Sequence, residues 1–154
     1  MPRLILMCGL PGAGKTTVGA RLASDLPALR LSPDEWLENL GFDGHDEVAR
    51  RRVESLQWNV AQTVLRLGQN VILENGFWAR AEREDIRVRA RELGALVELR
   101  YLDVGGDEIW RRLEARDAQL PPSTFKVTRD QLTLWMKTFQ PPNQAEMDLF
   151  DAPL

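Results

Sequence analysis

Gly9-Leu10-Pro11-Gly12-Ala13-Gly14-Lys15-Thr16 matches the pattern G-x-x-x-x-G-K-[ST] at every fixed position. The chemistry of a phosphate chain explains the spacing. Its oxygens need several donors converging on one small shell. Glycines let the backbone curl so that successive N–H groups point inward. A helix opening at the end of the loop adds unpaired N–H groups and the positive end of its dipole. Lysine then reaches the outer phosphates, and the threonine hydroxyl is available to a magnesium ion.

The flanks agree with this reading. Arg3-Leu4-Ile5-Leu6-Met7-Cys8 reads as a buried parallel strand, apolar almost throughout. It is too short for a secretory signal or a membrane span, and no later run approaches spanning length. After the loop, Val18, Leu22, Ala23 and Leu26 recur at helical spacing, predicting a helix over 15–25 that Pro27 stops.

Outward from there, strand-like and helix-like segments alternate, the pattern of an α/β chain with a parallel sheet. Strands are expected at 28–31, 70–74 and 96–102. Helices are expected at 34–40, 46–67, 79–93 and 107–117, and from Thr128 to about Phe139. The long helix carries an apolar stripe of Val53, Leu56, Val60, Val64 and Leu67. Thr128 with Gln131, and Asn143 with Glu146, have capping-box spacing. With 154 residues, 44% of them hydrophobic, the chain is expected to form one domain spanning 1–154.

Composition excludes some functions. Net charge is −3 and the pI about 5.3, which disfavours a nucleic-acid platform. Cys8 and His45 are the only residues of their types, so neither a disulfide nor a Cys/His zinc site can be assembled within the chain. Both facts fit a cytoplasmic protein.

Two acids stand at strand ends, where parallel sheets gather ligands. Asp34 follows the second strand and can take or orient the proton of an acceptor hydroxyl; it can equally cap the short helix after Pro33, and Glu35 competes for the chemical role. Glu74 closes Val71-Ile72-Leu73, the form of a Walker B strand, and with Thr16 is the candidate metal pair. Arg112 and Arg116, four apart, share a helix face.

The chain resembles the small P-loop kinases of the zeta-toxin, chloramphenicol-phosphotransferase and polynucleotide-5′-kinase type, and most closely short bacterial ATP-binding proteins with AAA-type P-loop domains. The carriers are the loop at 9–16, Ser32-Pro33-Asp34-Glu35-Trp36, Leu73-Glu74-Asn75-Gly76-Phe77-Trp78, Trp110-Arg111-Arg112-Leu113-Glu114-Ala115-Arg116 and Phe139-Gln140-Pro141-Pro142. The resemblance covers nearly the whole chain. It implies a three-layer α/β/α P-loop NTPase fold with sheet order 2-3-1-4, a helical lid around 118–127, and ATP with Mg²⁺ as cofactors. Longer relatives have a fifth strand, and this chain stops short of one.

The same resemblance implies site roles. Gly9, Pro11, Gly12, Ala13, Gly14, Lys15, Thr16 and Thr17 would hold the nucleotide, with Arg112 on its base side. Lys15, Asp34 and Arg116 would be catalytic, Arg116 on the transferring phosphate. Relatives generally carry aspartate where Glu74 stands. Asn75 follows it, where ATP-hydrolysing motors often have glutamate. From their positions after the second and third strands, Trp36, Phe42, Phe77 and Trp78 can wall an acceptor pocket, although aromatics are more often core, and Arg80 and Arg83 can meet an anionic acceptor or form a solvated helix face. Trp58 and Trp135 read as packing residues. The expected activity is phosphoryl transfer from ATP to a hydroxyl of a small molecule. A polynucleotide 5′-hydroxyl kinase and a non-catalytic ATP-binding module are the alternatives.

Overall fold

Arg3–Cys8 is buried at all six positions and forms β1, the strand that the rest of the sheet is built around. The computed structural model describes residues 1–119 and 126–154. Within them β1, β2 (Ala28–Leu31), β3 (Asn70–Gly76) and β4 (Leu96–Tyr101) pair in parallel in the order β2-β3-β1-β4, as expected. Leu4 lies opposite Val71 on one side and Val97 on the other.

Seven helices are present among the described residues: α1 (Lys15–Asp25), α2 (Pro33–Leu40), α3 (Glu47–Arg66), α4 (Arg80–Glu92), α5 (Gly106–Asp117), α6 (Arg129–Thr138) and the single turn α7 (Gln144–Met147). One apolar cluster gathers α3, α4, α5 and α6 around Leu4, Leu6, Leu73 and Leu99. The other packs Val18, Leu22 and Leu26 of the α1 segment on Ile5, Met7 and Ile72. The alternation of the strands thus feeds both layers. No helix among the described residues is long and apolar enough to cross a membrane. The lid expected at 118–127 falls largely on residues 120–125, outside the described residues.

Three features of the fold go beyond the sequence reading. First, β3 runs two residues further than its apolar run suggests. Its register with β1 shifts by one between Leu6 and Cys8, a bulge that lets Cys8 pair with Gly76 and re-aims the strand end. Gly9 N–H then donates to the Gly76 carbonyl at 2.9 Å, tying the phosphate loop to the end of β3.

Second, the outer edge of β4 is capped by residues near the end of the chain. Asp151 N–H donates to the Val97 carbonyl at 2.8 Å. Its carboxylate accepts from Val97 N–H at 2.7 Å. No fifth strand occurs among the described residues.

Third, α3 buries Ala49, Val53, Gln57, Ala61 and Leu65; of the expected stripe, Val53 is buried and Val60 and Val64 pack against the core, while Leu56 and Leu67 turn outward. Leu56 is 54% exposed and Leu67 72%. The core admits small residues and an amide there because Trp58, Val60 and Val64 fill the flanks of the same face. Gln57 is fully buried, and neither end of its amide finds a hydrogen-bond partner among the described residues. Gln57→Met removes that desolvation cost at nearly constant volume. It is expected to stabilise the fold by about 1–2 kcal/mol in urea unfolding.

Candidate active site

The phosphate loop takes its shape from two left-handed glycines, Gly12 (φ 85°) and Gly14 (φ 98°), a region that residues with a Cβ avoid. A Cβ on Gly12 would also stand 3.1 Å from Leu113 and 3.2 Å from Ile109, so the loop seats directly on α5. Lys15 Nζ lies along the loop and donates to the carbonyls of Gly9 and Leu10, both at 3.0 Å. Burial pushes Lys15 down to about 8, against the pull of the Asp34 carboxylate.

Thr16, on the first turn of α1, donates its hydroxyl to Glu74 Oε1 at 3.2 Å. The other carboxylate oxygen of Glu74 accepts from Arg30 of β2, whose guanidinium also bonds Glu35. Glu74 is buried, and burial raises it despite the Arg30 and Thr16 hydrogen bonds. Gly19 makes this possible: a Cβ there would stand 2.6 Å from Glu74 Oε2. A threonine hydroxyl and one carboxylate, both hard oxygen donors, fit a Mg²⁺ that keeps most of its waters. No group of three or more acidic, histidine or cysteine residues that could hold a metal ion occurs among the described residues.

Two hollows meet at this point. The first, about 770 Å³, is bounded by loop residues 11–18, by the chain leaving β4 at 101–104, and by Arg112 and Arg116 of α5. Arg112 Nη1 reaches the carbonyls of Gly12 and Ala13 at 3.4 and 3.3 Å, while its Nε binds Glu108 at 3.0 Å. Arg116 pairs with Asp117 at 3.2 Å.

The second, about 250 Å³, shares Pro11, Lys15 and Asp34 with the first and extends between α3, the end of β3 and α6. Asp34, on the first turn of α2, stands at the junction. It is not needed as a cap, because Ser32 takes the Glu35 N–H. Its Oδ1 accepts from Arg50 at 2.5 Å, and Arg50 is steadied by the Gly44 carbonyl at 3.2 Å.

The aromatic candidates divide between cavity wall, core and surface. Trp78 lines the smaller cavity, facing Trp135 of α6 with ring centroids 5.8 Å apart. Phe77 is a core residue, 1% exposed, Trp36 packs on Leu37, Ala49 and Val53, and Phe42 is 49% exposed at the surface. Arg83 is no acceptor contact: it is fully buried and paired with Glu146 at 2.6 and 2.9 Å. Arg80 stays exposed, 4.0 Å from Glu146. Cys8 is buried in β1, and burial pushes its thiol up to about 12, away from the thiolate form a nucleophile needs. Arg30, Arg50, Glu54 and Glu82 had no signal in the sequence, since each is placed by packing that the motifs do not fix, and Trp135, read as a packing residue, both packs against the core and lines the cavity.

The fold and this loop define a P-loop α/β domain. The chain belongs to the AAA domain family, which matches residues 4–142. It is 33% identical over 122 residues to a shikimate kinase of Paracidovorax citrulli (strain AAC00-1), the match covering 71% of this chain and 60% of that protein. The matched region thus spans less than two thirds of that relative's length.

Solved structures share the fold at lower identity. A chain of the Pnkp1/Rnl/Hen1 RNA repair complex superposes with TM-score 0.77 at 18% identity, over 97% of this chain and 46% of the other. Chaetomium thermophilum Kti12, in complex with ADP-AlF3, gives 0.74 at 17%, over 92% and 82%. A gluconokinase from Sinorhizobium meliloti 1021 gives 0.61 at 18%, over 93% and 78%.

Proposed function

We propose that this protein is a cytoplasmic kinase that transfers the γ-phosphoryl group of ATP to a hydroxyl of a small acceptor. The observation that carries the reading is the meeting of two hollows at Lys15 and Asp34, one built around a phosphate loop and the other a compact cavity. A binding module needs only the first. The likeness to a shikimate kinase supports transfer to a small molecule. A polynucleotide acceptor is disfavoured, because the smaller cavity is walled largely by carboxylates that would repel phosphodiesters.

In this reading the loop N–H groups and Lys15 hold the phosphates, and Thr16 with Glu74 would hold hydrated Mg²⁺, which would supply positive charge beside them. Asp34 orients the acceptor hydroxyl and receives its proton. The acceptor oxygen bonds to the γ-phosphorus as the bond to the β-phosphate oxygen breaks, giving ADP and a phosphate monoester. Arg116 meets charge on the transferring group, and Arg112 braces the loop side of the nucleotide.

The test is incubation with γ-labelled ATP, Mg²⁺ and a small-molecule extract, followed by mass spectrometry. Label is expected in a new monoester. Lys15→Ala and Asp34→Asn are expected to lower its formation by at least about 100-fold while the fold persists. Label appearing only as free phosphate would reject the kinase reading. Full transfer by Asp34→Asn would reject the role of Asp34.

A further inference from the structure

The cavity beside Lys15 has the wrong charge for an anionic acceptor. Five carboxylates line it, Asp34, Glu47, Glu54, Glu74 and Glu82, against two cations, Lys15 and Arg50, and His45. Several of these groups are already engaged. Lys15 is bound to the loop carbonyls, Arg50 to Asp34, and Glu74 to Thr16 and Arg30. Glu54 of α3 and Glu82 of α4 are different. Both are partly buried, and neither makes a hydrogen bond or ion pair among the described residues.

The remaining wall points the same way. Asn75, at the bulged end of β3, contributes an amide oxygen that is buried and has no hydrogen-bond partner among the described residues. It is an acceptor that lacks a donor. Trp78 and Trp135 supply two tilted indole rings, whose negative faces attract cations. The wall is therefore rich in acceptors and π-faces, and its cations are spent. A volume of about 250 Å³ lies below the range of drug-sized pockets, roughly 300–1,000 Å³, and suits a molecule of about one sugar ring.

We propose that the phosphate acceptor is a compact, protonated amino alcohol or amino sugar, its ammonium seated between Glu54 and Glu82 against Trp78 and Trp135, with its reacting hydroxyl turned to Asp34. This rests on the kinase reading above and adds the chemical class of its acceptor.

Burial keeps Glu54 near 7, with Glu82 beside it raising it further, Arg50 lowering it, and Glu47 and Asp34 raising it. Burial also raises Glu82. A cationic acceptor favours the ionised form of Glu54. Its apparent affinity therefore rises with pH up to about 7 and levels off above, at most about tenfold per unit.

The experiment separates a small-molecule extract at pH 7 into cation-exchanger-retained, anion-exchanger-retained and unretained fractions. Each is offered with γ-labelled ATP and Mg²⁺. Labelled monoester formed from the cation-exchanger-retained fraction supports the proposal. Monoester formed only from either of the other fractions overturns it while leaving the kinase reading intact. Monoester from no fraction, with ATP still bound in calorimetry, overturns both.

Glucosamine, glucose and glucuronate are matched probes of charge +1, 0 and −1 on one skeleton. Glucosamine is expected to compete with the labelled acceptor at least tenfold better than glucuronate, and equal competition overturns the charge argument. Glu54→Gln is expected to raise the KM for the cationic acceptor at least tenfold and to flatten its rise below pH 7. A folding control accompanies this. The raised pKa of Glu54 means that its ionisation costs the fold stability progressively from about pH 4.5 to about pH 7 and in full above, so Glu54→Gln should melt higher than the parent at pH 8 and no higher at pH 4. An unchanged KM and pH profile in a variant that melts as expected overturns the role of Glu54.

Discussion

Gly19→Ala is expected to lower Mg²⁺-dependent turnover roughly 10–100-fold, its helical gain in stability being offset by the bond that the displaced Glu74 carboxylate loses. In an ordinary helix the change gains about 1 kcal/mol, since alanine restricts the unfolded chain and tolerates helical dihedrals. Gly19 is an interior residue of α1, one turn after Lys15. Its missing Cβ leaves the room that the Glu74 carboxylate occupies: the added methyl would lie 2.6 Å from Oε2 and 3.1 Å from Cδ. Thr16 holds one oxygen and Arg30 the other, so the carboxylate cannot step aside without breaking one of those bonds. The displaced group is the one proposed to steady Mg²⁺. A magnesium titration of ATP turnover, run beside thermal melts, reads the two effects separately. A variant that melts far below the parent with an unchanged magnesium response would show that Glu74 has no part at the metal.

The same residues show how far the sequence could be read. The loop at 9–16 carries its own geometry, because its glycines and lysine are required by the phosphates and not by distant packing. The sheet order followed from the resemblance that the loop anchored. Capping was legible where it is local: Thr128 and Gln131 close a reciprocal box, at 2.8 and 3.1 Å. Asn143 and Glu146 have the same spacing, and Asn143 does accept the Glu146 N–H at 2.9 Å. The Glu146 carboxylate is drawn away to Arg83, a partner 63 residues distant that no local rule can supply.

Rotation of the helices was the harder quantity. On α3 the eye follows Leu56 and Leu67, yet the buried row runs through Ala49, Gln57 and Ala61, because a helix lying close on a sheet favours small residues at the contact. That turn of the helix is what presents Arg50 and Glu54 to the cavity. The wall of the smaller cavity was legible only in part: Lys15, Asp34, Glu74 and Trp78 carried a signal, whereas the single side chains from α3, α4 and α6 are set by packing elsewhere. Among the aromatics, Phe77 and Trp78 are neighbours in sequence with opposite fates. A bulge and two successive positive φ values, at Gly76 (88°) and Phe77 (49°), send one ring into the core and the other to the cavity.

That turn is held by the buried Arg83, which leads to the second large expected effect. Arg83→Met is expected to destabilise the protein by about 3–5 kcal/mol, because it leaves the Glu146 carboxylate buried without its counter-charge. Glu146→Gln strands the guanidinium in the same way and should cost nearly as much. Removing both charges, in Arg83→Met with Glu146→Leu, should recover a large part of the loss, since apolar residues of similar volume replace a desolvated pair. Recovery of stability need not bring recovery of activity. Arg83 Nη1 also donates to the carbonyls of Phe77 and Trp78, at 2.8 and 3.2 Å, and so braces a non-glycine residue in the left-handed region. The Trp78 carbonyl keeps a second donor, Gln140 N–H at 2.9 Å, but Phe77 loses its only charged one. The double variant is therefore expected to fold cooperatively in urea with a raised acceptor KM, reporting a Trp78 ring that is no longer fixed against Trp135. Equal losses in the single and double variants would mean that the pair serves the backbone of the turn alone and that its charges contribute nothing to each other.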